Sequence, residues 1–208
     1  MSRHVLLLQL KVADMQAVHQ ASDSIKQALG NRMADIVIGP DSMTLFTKLK
    51  PNEIRTHLQN HASDIVSGNE QKEIIEIPIC YELGHDLDRV AEHCGISPDQ
   101  LIQQHVASTY TCAFIGFLPG FVYADGLPTS LHCPRKSVPA KSVAAGSVGI
   151  GGAMTGIYSL QSPGGWNIIG RTPVQTFRAD KMPPALLPAG QQFRFRSISL
   201  KDFESWEE

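Results

Sequence analysis

The chain has 208 residues, of which 42% are hydrophobic, and its formal net charge at neutral pH is -2. This hydrophobic content suits one large domain or two small ones with their own cores, and it excludes a disordered protein. The small net charge gives no broad attraction to phosphate backbones or anionic lipids, which argues against nucleic-acid binding. No apolar run approaches the roughly 20 residues that span a bilayer. Residues 1–10 are too short and poorly flanked for a signal peptide, so we predict a cytoplasmic protein.

The first 80 residues alternate between strand and helix patterns. Apolar residues at helical spacing end at Gly30, and Pro51 stands where a second helix would begin. The patterns predict strands at residues 5–12, 34–38, 43–49 and 72–81 and helices at residues 15–29 and 51–66. This β-α-β-β-α-β order predicts a split βαβ (ferredoxin-like) domain at residues 1–80 and an α+β protein overall.

The rest of the chain has a different pattern. Two short helices are predicted at residues 86–94 and 97–107, and the second begins with the capping sequence Ser97-Pro98-Asp99-Gln100. From residue 110 onward, short β-like runs alternate with turn residues. A small β-barrel with mostly antiparallel strands, within a domain at residues 81–208, is the expected closure because a barrel removes exposed strand edges.

Glycine and proline cluster four times in the barrel region, at residues 116–121, 146–152, 162–166 and 170–173. Glycine permits positive φ, and proline fixes φ without donating a hydrogen bond. The clusters therefore predict tight turns and close backbone approach at the mouth of a β-structure, which is a candidate ligand site.

The cluster at residues 146–152 has two interpretations. It lacks the lysine and hydroxyl of a Walker loop, and no helix follows it, so it matches neither standard nucleotide motif. It is either a nest of backbone N–H groups that holds an oxyanion or a structural turn. Ser147 resembles the serine of a nucleophile elbow, but Ala145 replaces the first glycine of that motif. A hydroxyl that hydrogen-bonds a substrate is the better interpretation of Ser147.

Four other side chains are candidates for chemistry. His105 ends a helix directly before the barrel, where it either reaches a cleft and acts near neutral pH or belongs to the core. Arg135 and Arg171 each either clamp a carboxylate or phosphate with the planar guanidinium or form a surface ion pair. Trp166 follows two glycines and is either a pocket wall or ordinary core.

No metal site is expected. The four cysteines lie at positions 80, 94, 112 and 133 without CxxC spacing, which predicts reduced, mostly buried thiols. His57 and His61 are four residues apart on a predicted helix, but no third ligand stands nearby, so we interpret them as a solvated helix face.

Five ordered segments carry a resemblance to a known family. They are residues 116–121 (GFLPGF), 134–135 (PR), 145–150 (AGSVGI), 155–158 (TGIY) and 162–173 (SPGGWNIIGRTP). In order and spacing they resemble the B subunit of bacterial 5-oxoprolinase. The same family is also called allophanate hydrolase subunit 1 and Kip-type (KipI) sensor-kinase inhibitor.

The resemblance implies a fold, an activity and partners. It implies a split βαβ domain followed by a cyclophilin-like barrel, a C subunit with a related barrel as partner, and an A subunit. The assembly would open the lactam ring of 5-oxoproline to L-glutamate with ATP as co-substrate, together with Mg²⁺. This chain, which lacks a standard nucleotide motif, would be inactive alone.

The residue patterns and the resemblance together predict the site. We expect His105, Ser147 and Arg171 to share one cleft as catalytic residues. The predicted substrate-binding residues are Phe117, Pro119, Phe121, Arg135, Gly146, Gly164, Gly165 and Trp166. The chain departs from the usual family pattern at Ala140 and Ala144, where an arginine and a proline are typical.

Two other functions compete with the lactamase. The chain is alternatively a regulator that binds a sensor histidine kinase, or a component of an allophanate or urea amide hydrolase. Fold alone does not decide between them. An organised ligand cleft favours an enzyme, whereas an exposed apolar patch without a cleft favours a binding module.

Overall fold

A computed structural model describes residues 4–9, 15–40, 42–60 and 73–207 of the chain. The chain divides into two compact units, residues 1–72 and residues 73–208. Each unit has its own hydrophobic core.

Where it is described, the first unit has a three-stranded antiparallel sheet and two α-helices. Its elements are β1 (His4–Gln9), α1 (Met15–Leu29), β2 (Met33–Ile38), β3 (Ser42–Thr47) and α2 (Pro51–Asn60). Strand β3 lies between β1 and β2 and is antiparallel to both. Every second residue of β3 is buried, as expected for a strand with one face on a core, and Leu45 meets Ile54 of α2 in that core.

The fourth strand expected for the first domain belongs to the second unit. The pattern at residues 72–81 forms β4 (Ile75–Ile79), which pairs in parallel with β12 (Gln192–Ser197), the last strand of the barrel. The division between the two units falls between Lys72 and Glu73, earlier in the chain than the expected boundary at residue 80. The ferredoxin-like fold of the first domain is not confirmed. The parts of the predictions that fall on residues 10–12 and 61–72 lie outside the described residues.

The second unit holds nine strands and three helices among its described residues. They are β4, α3 (Leu87–Cys94), α4 (Pro98–Ala107), β5 (Tyr110–Ile115), β6 (Val122–Asp125), β7 (Ala140–Val143), β8 (Ser147–Gly151), β9 (Met154–Ile157), β10 (Ser162–Gly164), β11 (Asn167–Arg171), β12 and α5 (Leu200–Glu204). Strands β7 and β10 form a separate two-stranded sheet.

Seven strands form one large sheet in the order β11-β8-β9-β6-β5-β12-β4. All its pairs are antiparallel except β12 with β4. Its two edges meet where Cys80, directly after β4, exchanges backbone hydrogen bonds of 2.8 and 3.0 Å with Arg171 at the end of β11. The sheet is therefore a nearly closed barrel, which is consistent with the cyclophilin-like barrel that the resemblance implies.

Helix α4 begins as its sequence predicts. The Ser97 hydroxyl accepts a hydrogen bond from the backbone N–H of Gln100, and the Gln100 side chain accepts one from the backbone N–H of Ser97. This reciprocal capping box satisfies two N–H groups that a helix start leaves unpaired. The helix buries Leu101 and His105. His105 is one of the three predicted catalytic residues.

Three broader expectations can be compared with the described residues. All four cysteines are free and three are buried, which confirms the predicted thiols. None of the helices described is long and apolar enough to cross a membrane. In the same part of the chain, no group of three histidine, cysteine, aspartate or glutamate side chains is placed to hold a metal ion.

Candidate functional site

Six of the predicted substrate-binding residues line one pocket of about 210 Å³ on the barrel. The lining comprises Phe117, Phe121, Tyr123, Arg135, Pro139, Tyr158, Pro163, Gly164, Gly165 and Trp166. These residues come from the turn between β5 and β6, the segment before β7, the end of β9, and β10 with the residues that follow it. Segments that are far apart in sequence therefore meet at one place.

The wall of the pocket is a group of aromatic rings in edge-to-face contact. The Phe121 ring centroid lies 4.9 Å from that of Tyr158 and 5.7 Å from that of Trp166. Tyr123 adds a further edge contact with Trp166 at 5.6 Å. Phe121, Tyr158 and Trp166 are almost fully buried, so the wall is rigid and apolar.

Two glycines leave the space that the Trp166 indole fills against the barrel. A Cβ at Gly151 would stand 2.6 Å from indole atoms, and a Cβ at Gly156 would stand 2.8 Å from the indole and 2.6 Å from the Val122 carbonyl oxygen. Only a residue without a side chain fits at these positions. Part of the glycine cluster at residues 146–152 therefore packs the pocket wall.

Phe117 forms the rim of the pocket in an unusual backbone conformation. Its φ is 66°, a left-handed value that bulky residues rarely adopt. The N–H of Leu118 donates to the Gly116 carbonyl oxygen at 2.7 Å, closing a tight turn around Phe117. The side chain is 61% exposed and its ring meets Phe121 edge-on at 5.5 Å. Strained residues of this kind concentrate at functional sites.

Arg135 supplies the only charge among the residues that line this pocket. Its guanidinium carbon lies 5.5 Å from the Trp166 ring centroid, within cation–π range. The residue is exposed, and no carboxylate of the described residues forms an ion pair with it. Its charge is therefore free for a ligand.

The backbone on both sides of Arg135 is fixed by buried polar contacts. The Asn167 amide donates to the carbonyl oxygens of Pro134 and Ile150, each at 3.0 Å. The backbone N–H of Lys136 donates to the Gly165 carbonyl oxygen at 2.7 Å. The Lys136 ammonium donates to Asp86 Oδ2 at 2.8 Å. Arg135 thus stands on a rigid segment although its own side chain is exposed.

Asp86 is ionised in this arrangement. Burial alone would raise the pKa of its carboxyl. Hydrogen bonds from Lys136 and the Ile168 N–H, together with the positive charge of Lys136, outweigh burial and hold the pKa below its usual value. The carboxylate therefore ties Lys136 to strand β11.

The two tyrosines of the pocket are neutral. Burial raises the pKa of the Tyr123 and Tyr158 phenols, and the positive charge of Arg135 offsets only part of this effect. Both phenols keep their protons at neutral pH, so the pocket carries one positive charge and hydroxyl groups that can donate hydrogen bonds.

His105 does not reach a cleft. Its side chain is fully buried, and its ring stacks on Phe195 with centroids 4.6 Å apart. Thr155 Oγ1 donates to the Gly149 carbonyl oxygen and so accepts from His105 Nε2 at 3.2 Å, which leaves Nδ1 to accept from the Tyr81 hydroxyl at 2.6 Å. Burial lowers the pKa of His105 to about 3, so the ring is neutral. The prediction that it shares a cleft with Ser147 and Arg171 is wrong.

Arg171 closes the barrel. Besides the backbone pairing with Cys80, its Nε donates to the Ala145 carbonyl oxygen at 2.9 Å, and its guanidinium lies over the Phe203 ring at 5.7 Å. It does not line the aromatic pocket. The sequence could not show this, because Cys80, Ala145 and Phe203 all lie more than 25 positions from Arg171 in the chain.

The predicted oxyanion nest at residues 146–152 is not formed. The Gly146 N–H donates to the Tyr158 carbonyl oxygen, the Ser147 N–H to that of Ala144, and the Gly152 N–H to that of Cys133. Residues 147–151 form strand β8 between β9 and β11. These amides are occupied and cannot cradle an anion; the cluster is a barrel strand with a turn beside each end. Ser147 is buried in this strand, and neither Gly146 nor Pro119 lines the pocket.

Sequence reasoning missed four lining residues, Tyr123, Pro139, Tyr158 and Pro163. Tyr158 and Pro163 stand inside the segments that carry the family resemblance, so that signal could have found them. Tyr123 lies on an ordinary strand, and nothing in the sequence distinguishes it from core. Two larger depressions, of about 450 and 490 Å³, flank Trp206 near the chain end and contain none of the predicted site residues.

Comparison with known proteins identifies the family. Residues 1–187 match the family described as carboxyltransferase domain, subdomain C and D. The chain is 40% identical over 158 residues to the 5-oxoprolinase B subunit of Bacillus subtilis (strain 168), covering 74% of this chain and 66% of that protein. It is 36% identical over 195 residues to the protein of the same name from Escherichia coli O157:H7, covering 93% and 84%. The chain belongs to the family of 5-oxoprolinase B subunits.

Solved structures place the family fold in larger proteins as well. The chain superimposes on the crystal structure of TTHA0988 with a TM-score of 0.79 at 28% identity, covering 95% of this chain but 41% of that one. The urea amidolyase of K. lactis gives a TM-score of 0.70 at 16% identity, covering 97% of this chain and 15% of that one. At that identity the second likeness shows a shared fold alone.

Proposed function

We propose that the chain is one subunit of an ATP-dependent 5-oxoprolinase that opens 5-oxoproline to L-glutamate, acting together with the C and A subunits of that enzyme. The observation that carries the proposal is the name shared by relatives 36–41% identical to this chain. The aromatic pocket supports it, because an organised concave site fits an enzyme component better than a flat binding module.

The chemistry explains the need for ATP. A lactam is a stable amide, and transfer of the γ-phosphoryl group to its oxygen makes the ring carbon a better electrophile. One water then attacks that carbon and the C–N bond breaks, which leaves an acyl phosphate. A second water hydrolyses the acyl phosphate to the carboxylate and inorganic phosphate. Such a reaction requires donors that stabilise an anionic oxygen and phosphate.

The nucleotide site is expected outside the glycine cluster of this chain, because the amides of that cluster are used within the barrel. We therefore propose that ATP and Mg²⁺ are bound in the assembly with the partner subunits. The contact with the C subunit should bury an interface of ordinary size, on the order of 800 Å² on each partner.

Reconstitution tests the function. The purified chain, homologues of its C and A partner subunits, and the complete mixture are each assayed for glutamate and ADP release from 5-oxoproline. We expect activity in the complete mixture alone, and none without ATP. Robust turnover by the isolated chain would contradict the proposed division of labour. A complex that consumes allophanate or urea, or that only inhibits a sensor kinase, would replace this function with one of its alternatives.

A further inference from the structure

The aromatic pocket has a charge pattern that selects among small molecules. Arg135 provides one positive charge, and none of the ten residues that line the pocket in the described part of the chain is acidic. Asp86, the nearest carboxylate in the network beneath, is 12% exposed and bound to Lys136. The pocket thus offers a charged partner to an anion and no carboxylate to a cation.

The position of Arg135 is set before any ligand arrives. The hydrogen bonds from Asn167 to Pro134 and from Lys136 to Gly165 hold the backbone before and after it. A guanidinium on a fixed backbone can bind a carboxylate through two parallel hydrogen bonds without the cost of ordering a loop. The Tyr123 and Tyr158 phenols that line the pocket are neutral, and the half-buried Tyr123 ring presents aromatic surface to the body of a ligand.

The volume of the aromatic pocket limits the size of the ligand. A space of about 210 Å³ is smaller than the roughly 300–1,000 Å³ of pockets that hold drug-sized molecules or cofactors. Aromatic rings on several sides favour a compact, mostly apolar body. A five-membered ring with one acidic group matches this space, whereas a nucleotide is larger than it.

We propose that this pocket binds small cyclic carboxylates whose nitrogen is uncharged, with the carboxylate on Arg135 and the ring among Phe117, Phe121 and Trp166. The proposal rests on the proposed function, because it assigns the carboxylate of the lactam substrate to Arg135. It adds a selectivity: a zwitterionic amino acid brings an ammonium group close to the positive charge of Arg135 where no lining carboxylate can pair with it, which disfavours free proline and the glutamate product.

Three probe molecules of similar size distinguish the contribution of the carboxylate from that of the uncharged nitrogen. 5-Oxoproline has the carboxylate and a neutral amide, L-proline has the carboxylate and a charged amine, and 2-pyrrolidinone has the lactam ring without a carboxylate. Isothermal titration on the full chain and inhibition or KM measurements on the reconstituted complex give the affinities. We expect 5-oxoproline to bind at least tenfold more tightly than either of the other two.

Variants assign the selectivity to Arg135. Arg135→Gln should weaken 5-oxoproline binding at least tenfold and leave 2-pyrrolidinone binding unchanged, while Arg135→Lys should recover part of the loss because it keeps the charge without the planar fork. Arg196→Gln, an exposed arginine on β12 outside the pocket, is the matched control and should bind like the parent chain. Thermal melts confirm that each variant is folded.

The outcomes separate the two proposals. Equal affinity for the three probes, or 5-oxoproline binding and KM that Arg135→Gln leaves unchanged, would overturn the site. If the reconstituted complex still cleaves 5-oxoproline when the binding results are negative, the proposed function is kept and the proposed site is rejected. Selective binding by the chain with no lactam cleavage by the complex would keep the site and remove the function.

Discussion

The ammonium group of Lys136 donates to Oδ2 of Asp86 at 2.8 Å, and the same carboxylate oxygen accepts the backbone N–H of Ile168 at 2.8 Å. One carboxylate therefore joins the segment that carries Arg135 to barrel strand β11. Both side chains are largely buried, with exposed fractions of 18% and 12%. In such pairs the loss of one charge leaves the other poorly solvated, which costs more than the intact pair contributes.

The first prediction concerns this pair. Asp86→Asn removes the charge that Lys136 needs but keeps an oxygen that can accept from Ile168. Because the pair is partly solvated, we expect a loss of about 1–3 kcal/mol in the free energy of unfolding, below the range for fully buried pairs, and weaker 5-oxoproline binding. Urea melts and titration measure the two effects. Asp88→Asn, at an exposed position of α3, is the control, and an Asp86 variant that behaves like it would show that the pair does not position Arg135.

The second prediction is a pH dependence from His105. Its pKa is about 3 in the folded chain against 6.5 in the unfolded chain, so the unfolded state takes up the proton first as the pH falls. The contribution of the neutral ring to stability is complete above pH 6.5 and declines toward pH 3, by on the order of 1 kcal/mol for each pH unit. The lowered pKa of Asp86 acts in the same direction but only below about pH 4.

Chemical denaturation between pH 7.5 and 4.5 measures this slope. His105→Gln removes the titrating group and keeps polar atoms near Tyr81 and Thr155, so it should be less stable at pH 7.5 but should lose less stability on acidification. An identical slope in the parent chain and the variant would show that His105 is protonated without penalty and therefore accessible to solvent.

The third prediction separates strain from function at Phe117. Glycine adopts the φ of 66° without steric cost, so Phe117→Gly should leave the melting temperature unchanged or raise it, although the exposed ring is lost. The same variant should bind 5-oxoproline more weakly because the pocket loses its rim. Leu160→Gly, which removes another exposed apolar side chain at a position outside the pocket, is the control for binding. A clear drop in the stability of Phe117→Gly with unaltered binding would assign Phe117 to the fold instead.

The fourth prediction concerns Arg171, whose side chain bonds the Ala145 carbonyl oxygen and packs on Phe203. Arg171→Ala should lower the free energy of unfolding by about 0.5–1.5 kcal/mol, the usual contribution of one such hydrogen bond. It should leave the affinity for 5-oxoproline unchanged, because Arg171 is outside the pocket. This expectation reverses the anion-binding role that the sequence suggested. Weaker ligand binding by a variant of undiminished stability would restore that role.

The sequence by itself determined the local features of this protein. The capping box at Ser97, the helices at residues 15–29 and 98–107, and the turn-separated strands of the barrel follow from periodicity and from residues with special backbone requirements. Six residues of the pocket were also predicted, from the glycine- and proline-rich turns together with the family resemblance. Each of these features depends on residues that lie within a few positions of one another in the chain.

The tertiary structure alone decided which segments meet. The alternation in β4 fits either sheet, since a strand pattern does not specify its partner, and only the pairing with β12 places it in the barrel. The environment of a polar side chain is likewise set by residues distant in sequence. His105 is neutral because the barrel buries it completely, and its two ring nitrogens bond Tyr81 and Thr155, 24 and 50 positions away. Asn167 and Lys136 fix the backbone on both sides of Arg135, which lines the pocket.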